Sequence, residues 1–567
     1  MPKKDFLSCL IATAYLPEEM PPVLKTQAFS DFCKANYLKL EPELQRLRKL
    51  NTTFETYTVP RTVEGRRNLA IVNPLAQLGL SLALTLNKKA VGDIIFDNKG
   101  SLYSVESDRE NRKAFSGLQF DQREELERKV LAVSDYVLKA DISRFFYTIY
   151  THSITWAILG KEKTKDLLAN DRQALGRHWS TTIDMCLQAC QSRETFGVPV
   201  GPDTSRIVAE LILAEVEKDS GYAQLVDARP ATRLLDDFLI GFENESHAVQ
   251  ALGALRNALW KFNLQLNEEK TRVARSKSIH RERWKLEFEK AYISDNNPER
   301  QGRDIDHLVE LTLHLCEEAK TDAPASWASR RISEQDIYQE NIPMVLDSLF
   351  RLSRDFPSCL HHVAAFLINR RSICIHPEFR KSIIQWLRQT LNRQVSLGHD
   401  SEVAWCLLVG GFMNYKFRKV DLPRFGSPPN AVIFAIMGLM REKNLLPFSL
   451  DKWNWRTAFK NAGIFSENWL PMYEAVRRGW TKDKGIIAAV RAEPIFASML
   501  KQNVTFLDDL IFSSALASEG SETYKIEQRS VFEQLAIELK VFQDTLVEFN
   551  FEGYDDPDAD TDEDYLF

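Results

Sequence analysis

The sequence predicts an α+β unit followed by an all-α array, and three observations carry that reading. Short β-rich runs (NLAIVNP, DYVLKADI, TRLLDDFLIGF) alternate with helical stretches between about 51 and 275. A polar segment with Pro and Gly, SDNNPERQGRD, then marks a boundary near 294–304. Beyond it the strand signals stop, and apolar residues recur at i, i+3, i+4 and i+7. A chain of 567 residues exceeds one hydrophobic core, so two to four domains are expected.

The segments follow in order. Residues 1–50 read as helical and end in LEPELQRLRKL. Residues 51–290 form the mixed α+β part, in which LGLSLALTL suits a buried helix. Residues 300–550 hold HLVELTLHLCEEA, IPMVLDSLFRLSRDF, CLHHVAAFLINR, FRKSIIQWLRQTLNRQ and SEVAWCLLVGGFMNYKF, a stack of amphipathic helices resembling an irregular repeat array without a strict period. Residues 551–567 are an acidic tail expected to be disordered. The tail's eight acids and no base turn a formal charge of −6 into +2 over residues 1–550, a body that can carry a basic channel.

No run of 18 apolar residues occurs, and charges flank the first apolar stretch too closely for a signal peptide. A membrane protein is therefore not expected, and the chain reads as soluble and cytoplasmic. The eight cysteines are scattered, and Cys186 and Cys190 lack a second pair at zinc-finger spacing. Reduced, buried thiols are expected.

Four segments carry chemistry. In RLLDDFLIGF, Asp236 and Asp237 fall at a tight hairpin between apolar runs. Carboxylates that close together against a core need a compensating cation. In YVLKADISRFFYTIYTHSI, Asp141 ends an apolar strand and can face that hairpin, completing a carboxylate set for two Mg²⁺ ions. Alone, the pair would read as a solvated loop and Asp141 as a cap. FGVPVGPDTSRIVAELILAEVE is a turn-rich loop entering a helix that Asp203 or Thr204 can cap. FNLQLNEEKTRV places Lys270 where it could reach a leaving pyrophosphate; by itself it would read as a surface lysine. Upstream, Arg61, Arg66 and Arg67 surround Gly65, and guanidinium groups suit a triphosphate.

In this order the segments resemble the fingers and palm of reverse transcriptases over roughly 55–275. DISRFFYTI resembles the first palm motif, GVPVGPDTSRIVAE the second, LLDDF the catalytic pair and LNEEKT the lysine motif. The resemblance implies that Asp141, Asp236 and Asp237 are catalytic and hold two Mg²⁺ ions. It implies that Arg61 and Arg67 bind the incoming dNTP, that Lys270 is the motif lysine, and that Phe146 crowds the sugar 2′ position and selects deoxynucleotides.

The wording of the second motif and the helical C-terminal half look most similar to prokaryotic abortive-infection and defence-associated reverse transcriptases. That implies an anti-phage RNA-directed DNA polymerase or nucleotidyltransferase and a nucleic-acid product. A non-coding RNA or partner polymerase, and a homo-oligomer (trimer or hexamer), are also implied. Some members of the group work without a template and start from their own tyrosine; Tyr15, Tyr37, Tyr57, Tyr554 and Tyr565 are the candidates. Two departures stand out. Leu234 replaces the usual aromatic residue before the Asp pair, and Val200 stands where the family often has Gln. They motivate an alternative, a polymerase-fold scaffold whose helical half recognises a partner. A metal-dependent nuclease using the same acids is a third reading.

Overall fold

Alternation of buried and exposed residues along Glu55–Pro60 makes that segment a half-buried strand, β1, paired antiparallel with β2 (Arg66–Ile71). A computed structural model describes residues 2–17, 19–61, 65–96, 103–104, 116–117, 120–227, 229–370, 373, 376–422, 429–447, 455–508 and 511–512. The acidic tail, Tyr554 and Tyr565 lie outside the described residues. A two-residue ladder, β3 (Tyr103–Ser104) with β4 (Ser116–Gly117), follows the hairpin.

The main sheet has four antiparallel strands: β5 (Tyr136–Asp141), β6 (Ala231–Leu234), β7 (Asp237–Phe242) and β8 (Arg272–Arg275), in the order β6-β7-β5-β8. Central β5 and β7 are apolar on both faces because both are covered. Leu138, Ala140, Phe238, Ile240 and Phe242 join the main core. Val137 and Leu239, on the opposite face, pack with Val130 of the helix Phe120–Ala132. The apolar stretch 78–86 lies within the helix Pro74–Leu86, buried from Pro74 through Thr85, as expected for LGLSLALTL. Asn73 starts it by accepting from the Leu75 N–H at 3.1 Å.

After β8 the described chain is helical. Asn297 caps the helix Pro298–Ala319 through the Arg300 N–H at 2.8 Å, with Pro298 at its first position. The stack continues through Ile342–Asp355, Pro377–Leu397, Asp400–Phe412 and Ala431–Glu442 to Pro494–Lys501. Its end returns to the beginning of the chain: Leu24 bridges Leu507, and the Lys25 N–H donates to the Phe506 carbonyl at 2.9 Å. One apolar cluster accordingly runs from Leu7 to Phe512 across the expected segments. Cysteines 9, 33, 186, 190, 316, 359 and 406 are free thiols, all but Cys9 buried. Among the described residues no helix is long and apolar enough to cross a membrane.

The helical half also grips the β1–β2 hairpin. Asp400 accepts from the Thr58 N–H at 3.1 Å and its hydroxyl at 3.0 Å. Buried Glu402 takes both arms of Arg66 at 2.7 and 2.9 Å. Glu55 accepts from the Ala431 N–H at 3.2 Å, at the start of a helix.

Candidate active site

Cross-strand register builds the site. Asp141 lies directly opposite Asp237 on β5 and β7. Directly opposed residues of an antiparallel pair project from the same face. Since Ala140 and Phe238 face the core, both carboxylates stand on the other face. The two-residue connection between β6 and β7 is Leu235–Asp236, so Asp237 already belongs to the returning strand rather than to the turn. Leu235 has φ +51°, the left-handed region that a branched L-residue seldom adopts. Strain of this kind persists only where neighbours over-determine it.

The neighbour responsible is Arg233, fully buried on β6. It makes a two-pronged contact with Glu210 at 2.9 Å on each arm and pairs with Glu217 at 2.6 and 3.2 Å. One arm also donates to the Leu235 carbonyl at 3.1 Å, fixing the turn. Burial alone would lower the Arg233 pKa, but Glu217 and Glu210 outweigh it and raise it. Glu210 and Glu217 belong to the helix Asp203–Glu217, which follows the second motif, so this ion triad bolts the Asp-Asp hairpin to that helix. The sequence reading missed it. Its signal was two acids seven apart, on one face of an otherwise apolar helix.

Lys270 comes to the carboxylates from β5's other neighbour. The Asn267 N–H donates to the Asp141 carbonyl at 2.7 Å, Ile142 bridges Leu266, and β8 then pairs with β5. This delivers the Lys270 ammonium to 2.7 Å from Asp141 Oδ2. Even so, negative charge exceeds positive here. Burial first, then Asp237 and to a lesser degree Asp141, pushes the Asp236 carboxyl up to about 6, against the opposing pull of its own N–H and Lys270.

The oxygen-only donor set suits a hard divalent cation, and the surplus negative charge calls for one. The side-chain placement differs from the expected ligand cluster: among the described residues no three His, Cys, Asp or Glu side chains stand together as a metal-holding group. The physical reason is visible in Asp141, whose carboxylate is turned to Lys270.

The second-motif loop lies alongside. Its Val198 N–H donates to the Phe146 carbonyl at 2.9 Å and its Gly197 N–H to the Ile149 carbonyl at 2.8 Å. The half-buried Phe146 ring rests against Phe145, 5.4 Å between centroids. Gly201 takes φ +117°, and an added Cβ would meet Pro17 Cγ at 2.4 Å, so the N-terminal segment packs against this loop. The helix starts at Asp203 with Pro202 as its cap residue. Neither Asp203 nor Thr204 caps it; Asp203 pairs with Arg206 at 2.8 Å instead.

The three upstream arginines diverge because neighbours on a strand point to opposite faces. Arg66 turns to Glu402, whereas Arg67 meets Glu19 at 3.7 Å. Arg61 is exposed at the end of β1. Its strand partner β2 is tied to the second-motif loop through the Ala70 N–H and the Val200 carbonyl at 2.8 Å. Of the described tyrosine candidates, Tyr15 and Tyr57 are fully buried and Tyr37 is nearly so, which keeps their hydroxyls from an incoming nucleotide in this conformation.

Residues 100–289 match the family model for reverse transcriptase (RNA-dependent DNA polymerase). No curated protein matches the chain. Among solved structures, a telomerase from Candida albicans, in complex with the TWJ fragment of telomeric RNA, is similar with 11% identity and a TM-score of 0.25. That likeness covers 65% of this chain and 69% of the other, and its score is too low to carry an argument. The α+β part is thus of reverse-transcriptase fingers-and-palm type, followed by an all-α domain.

Proposed function

We propose that this chain is a DNA polymerase of reverse-transcriptase type that adds deoxynucleotides by a two-metal mechanism in anti-phage defence. One observation carries the reading: Asp141 and Asp237 stand opposite each other on one sheet face, with Asp236 at the adjoining turn and Lys270 on Asp141. Asp141, Asp236 and Asp237 would hold Mg²⁺, which when bound activates the attacking hydroxyl and neutralises the leaving pyrophosphate.

The chain's own residues supply the rest. The Asp236 carboxyl, pushed up to about 6, exchanges its proton easily near neutral pH, so a cation can replace that proton at little cost. Lys270 holds Asp141 until a cation competes for it, and then lies free to approach the departing phosphates. Phe146 closes the space that a 2′-hydroxyl would need. Arg67 grips the triphosphate by leaving Glu19, a long and weak ion pair at 3.7 Å.

The reading is tested by incubating the purified chain with Mg²⁺ and each labelled dNTP, without added nucleic acid, followed by a denaturing gel and protease treatment. Label that stays with protein until proteolysis supports protein-primed synthesis; activity only with a primer–template or co-purified RNA supports conventional reverse transcription. Loss of incorporation in Asp236→Ala is expected in either case. The second reading, a polymerase-fold scaffold, draws on the absence of a ready carboxylate cluster among the described residues and on the grip of the helical half on the hairpin. It predicts that Asp236→Ala keeps full protection against phage.

A further inference from the structure

Two helices of the C-terminal half are patterned twice. Ile342–Asp355 buries Ile342, Val345, Leu346, Leu349 and Leu352, and Pro377–Leu397 buries Phe379, Ile383, Leu387 and Leu391, the ordinary apolar faces. Beside that face the first helix carries Asp347, Phe350, Arg351 and Arg354, and the second carries Gln385, Trp386, Gln389 and Arg393. Both sets follow helical spacing, so each forms a continuous stripe. The two stripes line one groove of about 530 Å³, within the size range of sites for small ligands.

The groove has a rigid floor and a cationic rim. Phe350 and Trp386 stack at 4.8 Å with planes 11° apart, and the Trp386 indole N–H donates to Ser353 at 3.2 Å. Arg393 reaches over the groove to donate to the Arg354 carbonyl at 2.7 Å. Arg351 pairs with Glu310 at 2.8 Å and Arg354 with Asp355 at 3.0 Å, but those guanidinium groups are 47% and 64% exposed. Exposed pairs of this kind contribute little and exchange readily for a better anion. Lining the groove are three guanidinium groups against one carboxylate, Asp347, together with two amide side chains. Guanidinium recognises phosphate with paired hydrogen bonds, and amides and carboxylates match the edges of bases.

We propose that this groove, on the C-terminal helices and outside the palm, binds a nucleotide unit. The guanidinium groups of Arg351, Arg354 and Arg393 take the phosphate, and Gln385, Gln389 and Asp347 contact the base. A free nucleotide and a nucleotide within a single strand share this chemistry.

The test is equilibrium binding to the full chain without divalent ions, using a fluorescent mononucleotide and a fluorescent oligothymidylate. Three proteins are compared: wild type, the triple variant Arg351→Gln, Arg354→Gln, Arg393→Gln, and the palm variant Asp236→Asn. The triple variant is expected to bind at least tenfold more weakly while Asp236→Asn binds normally. For the oligonucleotide its log–log salt dependence should be shallower by about 2, at roughly 0.7 per lost phosphate contact. Groove-dependent binding of the mononucleotide identifies a free nucleotide as the ligand; groove-dependent binding of the oligonucleotide alone identifies a strand. The double variant Gln385→Ala, Gln389→Ala keeps the charges and should flatten preferences among the four bases. Equal affinity and equal salt slope in wild type and triple variant overturn the proposal, as does equal displacement by inorganic phosphate. Failure of deoxynucleotide incorporation, read separately, bears on the palm alone.

Discussion

Replacing Arg233 by Met removes the one cation of a buried triad and leaves two carboxylates, Glu210 and Glu217, facing apolar surroundings. Glu210 is 4% exposed and Arg233 2%. Five printed hydrogen bonds vanish with the guanidinium: two to Glu210, two to Glu217 and one to the Leu235 carbonyl. Removing one side of a buried ion pair costs about 3–5 kcal/mol, mostly because the partner charge is stranded. Against a typical total of about 5–15 kcal/mol, this is a large share.

The variant also acquires a characteristic pH dependence. Stranded carboxylates in the folded state take up protons above the pH at which the unfolded chain releases them. The folded form then binds more protons than the unfolded form, so stability falls as pH rises through the neutral range and recovers in mild acid. Urea unfolding of wild type and Arg233→Met at pH 5 and pH 7.5 measures both effects, and Arg233→Lys separates charge from the two-pronged geometry. The local consequence is at the turn: Leu235 loses the donor on its carbonyl, so Asp236 should wander. Incorporation should drop mainly in kcat, with dNTP KM little changed. A variant within 1 kcal/mol of wild type at both pH values, with normal kcat, would refute the reasoning.

Burial pushes the Glu55 carboxyl up to about 8 from 4.5. The folded state thus holds a proton that the unfolded state loses, and stability present below pH 4.5 declines as pH rises through 8, by on the order of 4–5 kcal/mol; Glu55→Gln should flatten that slope in pH-dependent melts. Glu402→Ala strands the partly buried Arg66 and should cost about 3 kcal/mol, with faster hydrogen exchange across residues 55–71. Gly201→Ala meets both φ +117° and Pro17, so a loss of about 2 kcal/mol or more is expected, with faster proteolysis of the N-terminal segment. Phe146→Ala should admit ribonucleotides; unchanged discrimination between dNTPs and NTPs would remove the ring from that role.

The two-part architecture was legible in the sequence because each part rests on local pattern. Alternation in ETYTVP, doubly buried runs in YVLKAD and DFLIGF, and 3.6-residue periodicity after 298 each follow from how one element buries one face. The pairing of Asp141 with the Asp-Asp hairpin was legible for a related reason: apolar flanks forced both segments into neighbouring strands. Lys270 was legible as a member of the site, but its contact with Asp141 depended on β8 pairing with β5, which no local pattern specifies.

The sequence determined which segments become strands and helices and which residues could carry the chemistry. Only the tertiary structure decided the partners. Arg66 and Arg67 are adjacent in sequence, yet strand geometry sends one to Glu402, more than 330 positions away, and the other to Glu19. Arg233 finds Glu210 and Glu217 because a helix and an edge strand meet in the core. Arg351, Arg354 and Arg393 share a groove because two helices lie side by side. Periodicity reports which face of an element is buried; what that face meets is set by packing among all elements at once.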